Sequence, residues 1–380
     1  MIFIDLWFSS KPFLYSGIGI CNIRMKRTIV LPLLIFLSSY DIILVGIKRI
    51  SPMKIISASR RTDIPAFYSK WFLNRLRAGF CHWVNPFSRQ VYRVSLQPED
   101  CLAIVFWTRN PQPLLPHLDF LTDRGYCFYC HFTIIGYPKA IESSNPLLSV
   151  SIGTFKQLSQ RLSADRVQWR YDPIVLSDLT PPSFHLEQFD FLSRHLEGYT
   201  RRCYFSFVDF YGKTERNLGK VAQKYNVKFD RPCLEEKRQL LQQLHDIAVV
   251  RGIKLYSCCD DNLAGESIEK AHCIDIDIVK MLRAHRESRL KAAPTRQDCG
   301  CVESVDIGAY ETCVFGCSYC YATNSRDTAL KRMRDHDPED SILWRPPTLQ
   351  GVDLITQEHR KKEKTSVVQL PVAIQGTLFE

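Results

Sequence analysis

From Lys54 onward the chain repeats one pattern: a short β-rich run, a few polar residues, then an amphipathic stretch. The β-rich runs are "KIISAS" (54–59), "CLAIVFW" (101–107), "YCFYCHFTII" (126–135), "RVQWRY" (166–171), "RCYFSFV" (202–208) and "GIKLYS" (252–257). Between them lie "AFYSKWFLNRLRAG", "PLLPHLDFLTDRG", "LLSVSIGTFKQLSQRLS", "FHLEQFDFLSRHLEG" and "CLEEKRQLLQQLHDIAVVRG", all with helix-like spacing of apolar residues. Strands joined through helices pair in parallel, which limits the fold to an α/β barrel or a doubly wound sheet.

A second regularity selects between these. Nearly every run ends in polar or charged residues: Ser59, Arg60, Arg61 and Asp63; Thr108, Arg109 and Asn110; Arg170 and Asp172; Asp209; Cys258, Asp260 and Asp261. Polar groups gathered at the C-terminal ends of successive parallel strands are how a barrel builds an active site. The expected fold is therefore a TIM-like or partial (β/α) barrel. Asp63 and Asp172, each near a proline, also read as caps of the helices that follow.

The barrel pattern starts at Met53. Before it, "TIVLPLLIFLSSYDIILVGI" (28–47) is strongly apolar but interrupted by Pro32 and Asp41, with no small-residue cleavage site. Residues 1–52 are read as a non-domain extension, a mis-assigned start rather than a membrane anchor, and the working chain as cytoplasmic. Residues 53–345 are read as the barrel, with a cysteine-rich loop at 299–322. Residues 346–380, which include "HRKKEK", read as a flexible tail. The 50 Lys+Arg against 40 Asp+Glu give +10, scattered rather than gathered into an arm, so an anionic ligand or nucleic acid is permitted but not demanded. No glycine-rich phosphate loop, Ser/His/Asp arrangement or H-E-x-x-H occurs. His131, at the end of its strand, reads as a packed or hydrogen-bonded histidine.

Thiols are the unusual resource. In the stretch "ETCVFGCSYCYA" (311–322), Cys313, Cys317 and Cys320 are spaced C-x3-C-x2-C directly after the strand-like "VESVDI" (302–307). Disulfides are disfavoured in the cytosol, so such crowding points to a metal or to redox chemistry. Three thiolates from one loop can hold three corners of a [4Fe–4S] cluster and leave its fourth iron open, whereas zinc would need a fourth ligand.

"DIGAYETCVFGCSYCYA" resembles the cluster loop of radical S-adenosylmethionine (SAM) enzymes, most closely the spore-photoproduct-lyase-like group. "WRYDPIVL" (169–176) is similar to an Arg–Asp–Pro strand end of that group. The resemblance implies that the three cysteines ligate the cluster, that SAM chelates the open iron, and that an electron from a donor partner cleaves SAM to a 5′-deoxyadenosyl radical. It places Tyr319 near the adenine. Arg60, Arg61, Arg109 and Arg170, with Asp172, would line the mouth and bind SAM's carboxylate or an anionic substrate. The superfamily carries this loop after its first strand, whereas here it follows the last. The chain from Met53 also resembles an uncharacterised bacterial family, domain of unknown function 1848, through "SASRRTDIP", "FWTRNP", "RYDP" and "CGCVESVDIGAY" in the same order. The arrangement implied is a circularly permuted radical SAM barrel whose last strand lies beside its first, with "SASRRTD" where the superfamily has a glycine-rich SAM motif.

Four further cysteines, Cys258, Cys273, Cys299 and Cys301, could complete a second site for an iron–sulfur cluster or a zinc, since four thiolates suit either. Cys259 is then spare. Cys127 and Cys130 are spaced C-x2-C but sit in a strand and point to opposite faces, so they are not a site. Cys81, Cys101, Cys203 and Cys233 read as buried core. Two alternatives to an enzyme stay open: a non-catalytic iron–sulfur redox sensor and a zinc-stabilised binding module. Gln375, Leu378 and Phe379, in "AIQGTLFE", match the short pattern with which bacterial repair proteins grip the sliding clamp, a match of a kind that arises readily by chance.

Overall fold

Two sheets organise residues 47–49, 53–283 and 290–356, which are those described by the computed structural model. In chain order the elements are β1 (Ile47–Arg49), β2 (Lys54–Ala58), α1 (Ile64–Phe67), α2 (Ser69–Ala78), β3 (Phe80–Val84), β4 (Val91–Ser95) and β5 (Cys101–Thr108). They continue with α3 (Leu118–Asp123), β6 (Phe128–Thr133), α4 (Leu148–Leu162), β7 (Val167–Ile174), α5 (Pro182–Leu196), β8 (Arg202–Phe207), α6 (Gly212–Tyr225) and α7 (Leu234–Val249). The last are β9 (Lys254–Ser257), β10 (Glu269–Lys270), α8 (Ile276–Leu282), β11 (Ser304–Asp306) and α9 (Arg326–Arg334).

The main sheet has eight strands in the order β10-β9-β8-β7-β6-β5-β2-β11. Every pairing in it is parallel, as crossover connections through helices require. β11 pairs with β2, so the last strand lies beside the first strand of this sheet. A three-stranded sheet, β1-β4-β3, stands apart from it.

Period-two alternation gives the main sheet two different faces. Ile56, Ile104, Phe106, Phe128, Phe132, Trp169, Tyr171 and Phe205 point to an apolar core shared with the helices. The helices meet it with apolar positions three and four apart: Ile152, Phe155, Leu158 and Leu162 on α4, and Phe189, Leu192 and Leu196 on α5. Their intervening residues Ser57, Trp107, His131, Arg170 and Tyr204 belong to the opposite face. There Tyr129, Tyr204, Tyr256, Cys258, Cys273 and Cys301 pack with α8 residues Ile278 and Val279.

Several expectations need adjusting. Cys233 is exposed rather than core, because its sulfur caps the first turn of α7 while Glu236 bonds back to its N–H. Asp63 is a cap, accepting from Ala66 N at 2.9 Å, but Asp172 is not, since it turns to Arg170 at 2.6 Å. Residues 346–356 are packed: Leu349, Val352 and Leu354 are buried with Val91 and Ile342. Strand β1, inside the expected extension, pairs with β4. Residues 1–46, 357–380 and with them the apolar stretch at 28–46 and the Gln375, Leu378 and Phe379 pattern lie outside the described residues. Among the described residues no helix is long and apolar enough to cross a membrane.

Candidate functional site

The cysteine loop begins where β11 ends, and β11 is fastened to β2 by one acid. Asp306 accepts from Ser57 Oγ at 2.9 Å, Ser59 Oγ at 2.6 Å, Arg60 N at 2.7 Å and Gly308 N at 3.0 Å. Gly308 lets the backbones approach this closely, since a Cβ there would stand 2.6 Å from Ser59 Cβ. The loop is then closed on itself. Glu311 N bonds Ala322 O at 3.0 Å, and the Glu311 carboxylate accepts from Asn324 N and Ser325 N. Gly316, at φ +70°, makes its tight turn, and a Cβ there would stand 2.6 Å from Ser143 Oγ.

Cys313, Cys317 and Cys320 are each half-buried on this loop. Burial pushes the Cys313 thiol well up, and the nearby Cys320, Asp63 and Cys317 push it further. Burial raises Cys317 to about 12, with the Arg109 guanidinium pulling the other way. Asp63 itself is pushed up to about 7 by burial, against backbone N–H bonds from Arg109 and Ala66. The three thiols, Asp63 and Arg109 thus act on one another across the ends of β2, β5 and β11.

A buried triad locks the loop to the rest of the chain. Arg109 Nη1 meets Glu142 Oε1 at 2.8 Å, Arg109 Nη2 donates to Tyr319 OH, and Tyr319 OH donates to Glu142 Oε1. Asn145 Nδ2 donates to the other Glu142 oxygen. Glu142 is 2% exposed and Tyr319 is 9% exposed. Burial works against the Arg109 charge, yet Glu142 and Tyr319 hold it well above the ordinary arginine range. Arg109 and Tyr319, expected to face a ligand, are brought together and bonded to a glutamate that no sequence motif marked. A pocket of about 140 Å³ opens beside this triad, lined among others by Arg109, Tyr137, Lys139 and Glu142.

Two of the other arginines, Arg60 and Arg170, stand near the second group of thiols. Arg60 bonds Thr295 Oγ1 at 3.2 Å and Ser304 Oγ at 3.1 Å and lies over Trp107. Arg170 donates to Cys273 Sγ at 3.1 Å and to Asp172 at 2.6 Å, and also covers Trp107. Arg61 lies between the rings of Trp83 and Tyr310, with Nη1 buried and lacking a hydrogen-bond partner.

Cys258, Cys273, Cys299 and Cys301 are brought together, and Cys259 joins them instead of standing apart. Cys258 and Cys273 sulfurs are 3.3 Å apart, and Cys258 and Cys259 sulfurs 3.7 Å. Cys301 lies in the same buried cluster as Cys258 and Cys273, and Cys259 and Cys299 pack against it. Hydrogen bonds from Cys259 and Cys273 hold Cys258 well below the ordinary thiol value, with Arg170 and Arg296 adding to the effect. Cys299 is likewise lowered by Cys259 and Cys301. Among the described residues no group of three or more His, Cys, Asp or Glu is spaced as a bound metal ion would require; in this group the sulfurs stand as hydrogen-bonded thiols.

His131 packs as expected, stacked on Trp107 at 4.5 Å with Nε2–H donating to Cys273 O at 2.8 Å. Cys127 and Cys130 diverge: Cys130 is in the helix-side core and the Cys127 thiol bonds Leu282 O.

A family model described as "Domain of unknown function (DUF1848)" matches residues 55–322, well over half of the chain. The chain belongs to that family. The matched domain starts within β2 and ends at Ala322, directly after the cysteine loop, so it encloses both groups of thiols. Comparison with curated proteins finds no match.

Proposed function

We propose that this DUF1848 chain is an iron–sulfur enzyme of the radical SAM type, with Cys313, Cys317 and Cys320 holding a [4Fe–4S] cluster and an anionic molecule as its substrate. The supporting observation is the loop itself: three half-buried thiols that feel one another's charge, on a loop closed at its stem and pinned to β11 at the strand ends. Soft thiolates on one short segment suit iron–sulfur chemistry. The Arg109 guanidinium beside Cys317 offsets part of the negative charge that three thiolates would gather. When bound, such a cluster would supply a low-potential electron for cleaving SAM. Arg61, whose guanidinium has aromatic rings rather than an acid beside it, would be the arginine to meet a carboxylate or phosphate.

One observation favours the non-catalytic reading, a redox sensor. Arg109 is paired with Glu142, Arg170 with Asp172, and Arg60 with two hydroxyls, so their charges are largely committed within the chain. Chromatography of the reconstituted, dithionite-reduced protein with SAM decides between the two. The enzyme produces 5′-deoxyadenosine; its complete absence, with the cluster present, establishes the sensor reading instead.

A further inference from the structure

From the five clustered sulfurs we infer a second metal site: one tetrahedral, zinc-class divalent ion held by Cys258, Cys273, Cys299 and Cys301. It would clasp the β9–β10 edge of the sheet to the segment that enters β11. Cys258 Sγ lies 3.3 Å from Cys273 Sγ and 3.7 Å from Cys259 Sγ, and Cys299 and Cys301 pack in the same buried cluster. They come from three separate stretches: directly after β9, after β10, and from the connector ahead of β11. Single buried cysteines are common, but five converging from three stretches demand a reason.

Spacing chooses the ion. Zinc–sulfur bonds of about 2.3 Å in a tetrahedron set neighbouring sulfurs roughly 3.8 Å apart. The measured separation between two of these ligands, Cys258 and Cys273, is 3.3 Å, so outward movement of about half an ångström brings that pair to the edge length. A cubane cluster attaches each sulfur to a different iron and holds the four much farther apart. Cys259, 3.7 Å from Cys258 Sγ, stands outside the tetrahedron as a thiol donor to that one ligand.

The surroundings fit the charge of such a centre. Four thiolates around a divalent ion carry a net −2. Arg170 donates to Cys273 Sγ at 3.1 Å, Arg296 Nη2 approaches Cys258 Sγ at 3.9 Å, and Ile274 N–H points at Cys301 Sγ at 3.3 Å. N–H donors on ligand sulfurs are the outer shell that such sites carry. Gly300, between two ligands, passes so close to His272 that a Cβ would stand 2.7 Å from its ring. A backbone hydrogen bond, Val302 N to Ile274 O at 3.3 Å, runs alongside the cluster and joins the same two stretches.

The test uses the full chain carrying Cys313→Ala, Cys317→Ala and Cys320→Ala, so that failure of the radical SAM reading does not affect it. This protein, purified without added metal, should hold about one zinc per chain. Cobalt exchanged for the zinc should give the intense visible bands and sulfur-to-metal charge transfer of a tetrahedral tetrathiolate. Adding Cys273→Ala and Cys301→Ala should abolish both the metal and the cobalt spectrum, while adding Cys259→Ala should leave them. Iron with acid-labile sulfide in place of zinc, a pale octahedral cobalt spectrum, or loss of the metal on Cys259→Ala alone overturns the assignment.

Discussion

Glu142 makes one carboxylate serve three donors, Arg109, Tyr319 and Asn145, at 2% exposure. Removing its charge leaves the Arg109 guanidinium facing a neutral amide inside the protein. Breaking a buried pair from one side costs about 3–5 kcal/mol, of which a glutamine that keeps some hydrogen bonds recovers part. Glu142→Gln should therefore lower stability by about 3 kcal/mol in urea unfolding, whereas Tyr319→Phe, which removes one hydroxyl, should lose about 1 kcal/mol. Equal losses from the two variants would show that Arg109 is not held by charge. Arg109 and Tyr319 were legible because both sit in patterned stretches, "FWTRNP" and "CSYCYA". Glu142 was not: "KAIESSNP" is an ordinary loop, and only the folded chain brings it beside the cysteine loop.

At the scale of elements, the joint between β11 and β2 decides where the cysteine loop stands. Asp306 fastens it through four donors, and Gly308 allows the approach. Gly308→Ala should press its methyl into Ser59, whose Cβ cannot swing away, and cost about 1–3 kcal/mol as an overpacked contact. Thermal unfolding in the presence of a chelator tests this directly; an unchanged midpoint means the joint is loose. The six strands from β2 to β9 within the main sheet were readable because each is a nearly continuous apolar run buried on both faces. The neighbour relation of β11 and β2 was readable only through a family resemblance. Helix α6 escaped notice because just Thr214 and Leu218 are buried on it, too few to show a period. The β3–β4 hairpin escaped because its strands are half-exposed and flank a loop at Asn85–Gln90 rather than a two-residue turn.

The whole molecule separates its duties by face. Helices bury the apolar side of the parallel sheet, while Trp107, His131, Arg170 and one cluster of thiols occupy the other, and the second thiol group rides the loop after β11. Both groups fall within the matched family domain, residues 55–322. The most direct measurement is the iron and acid-labile sulfide content, with electron paramagnetic resonance after reduction, of the anaerobically reconstituted full chain beside its Cys313→Ala, Cys317→Ala, Cys320→Ala variant. The account predicts about four irons and four sulfides per chain with a reduced-cluster signal, all lost in the variant. Equal iron and sulfide in the two proteins would contradict it.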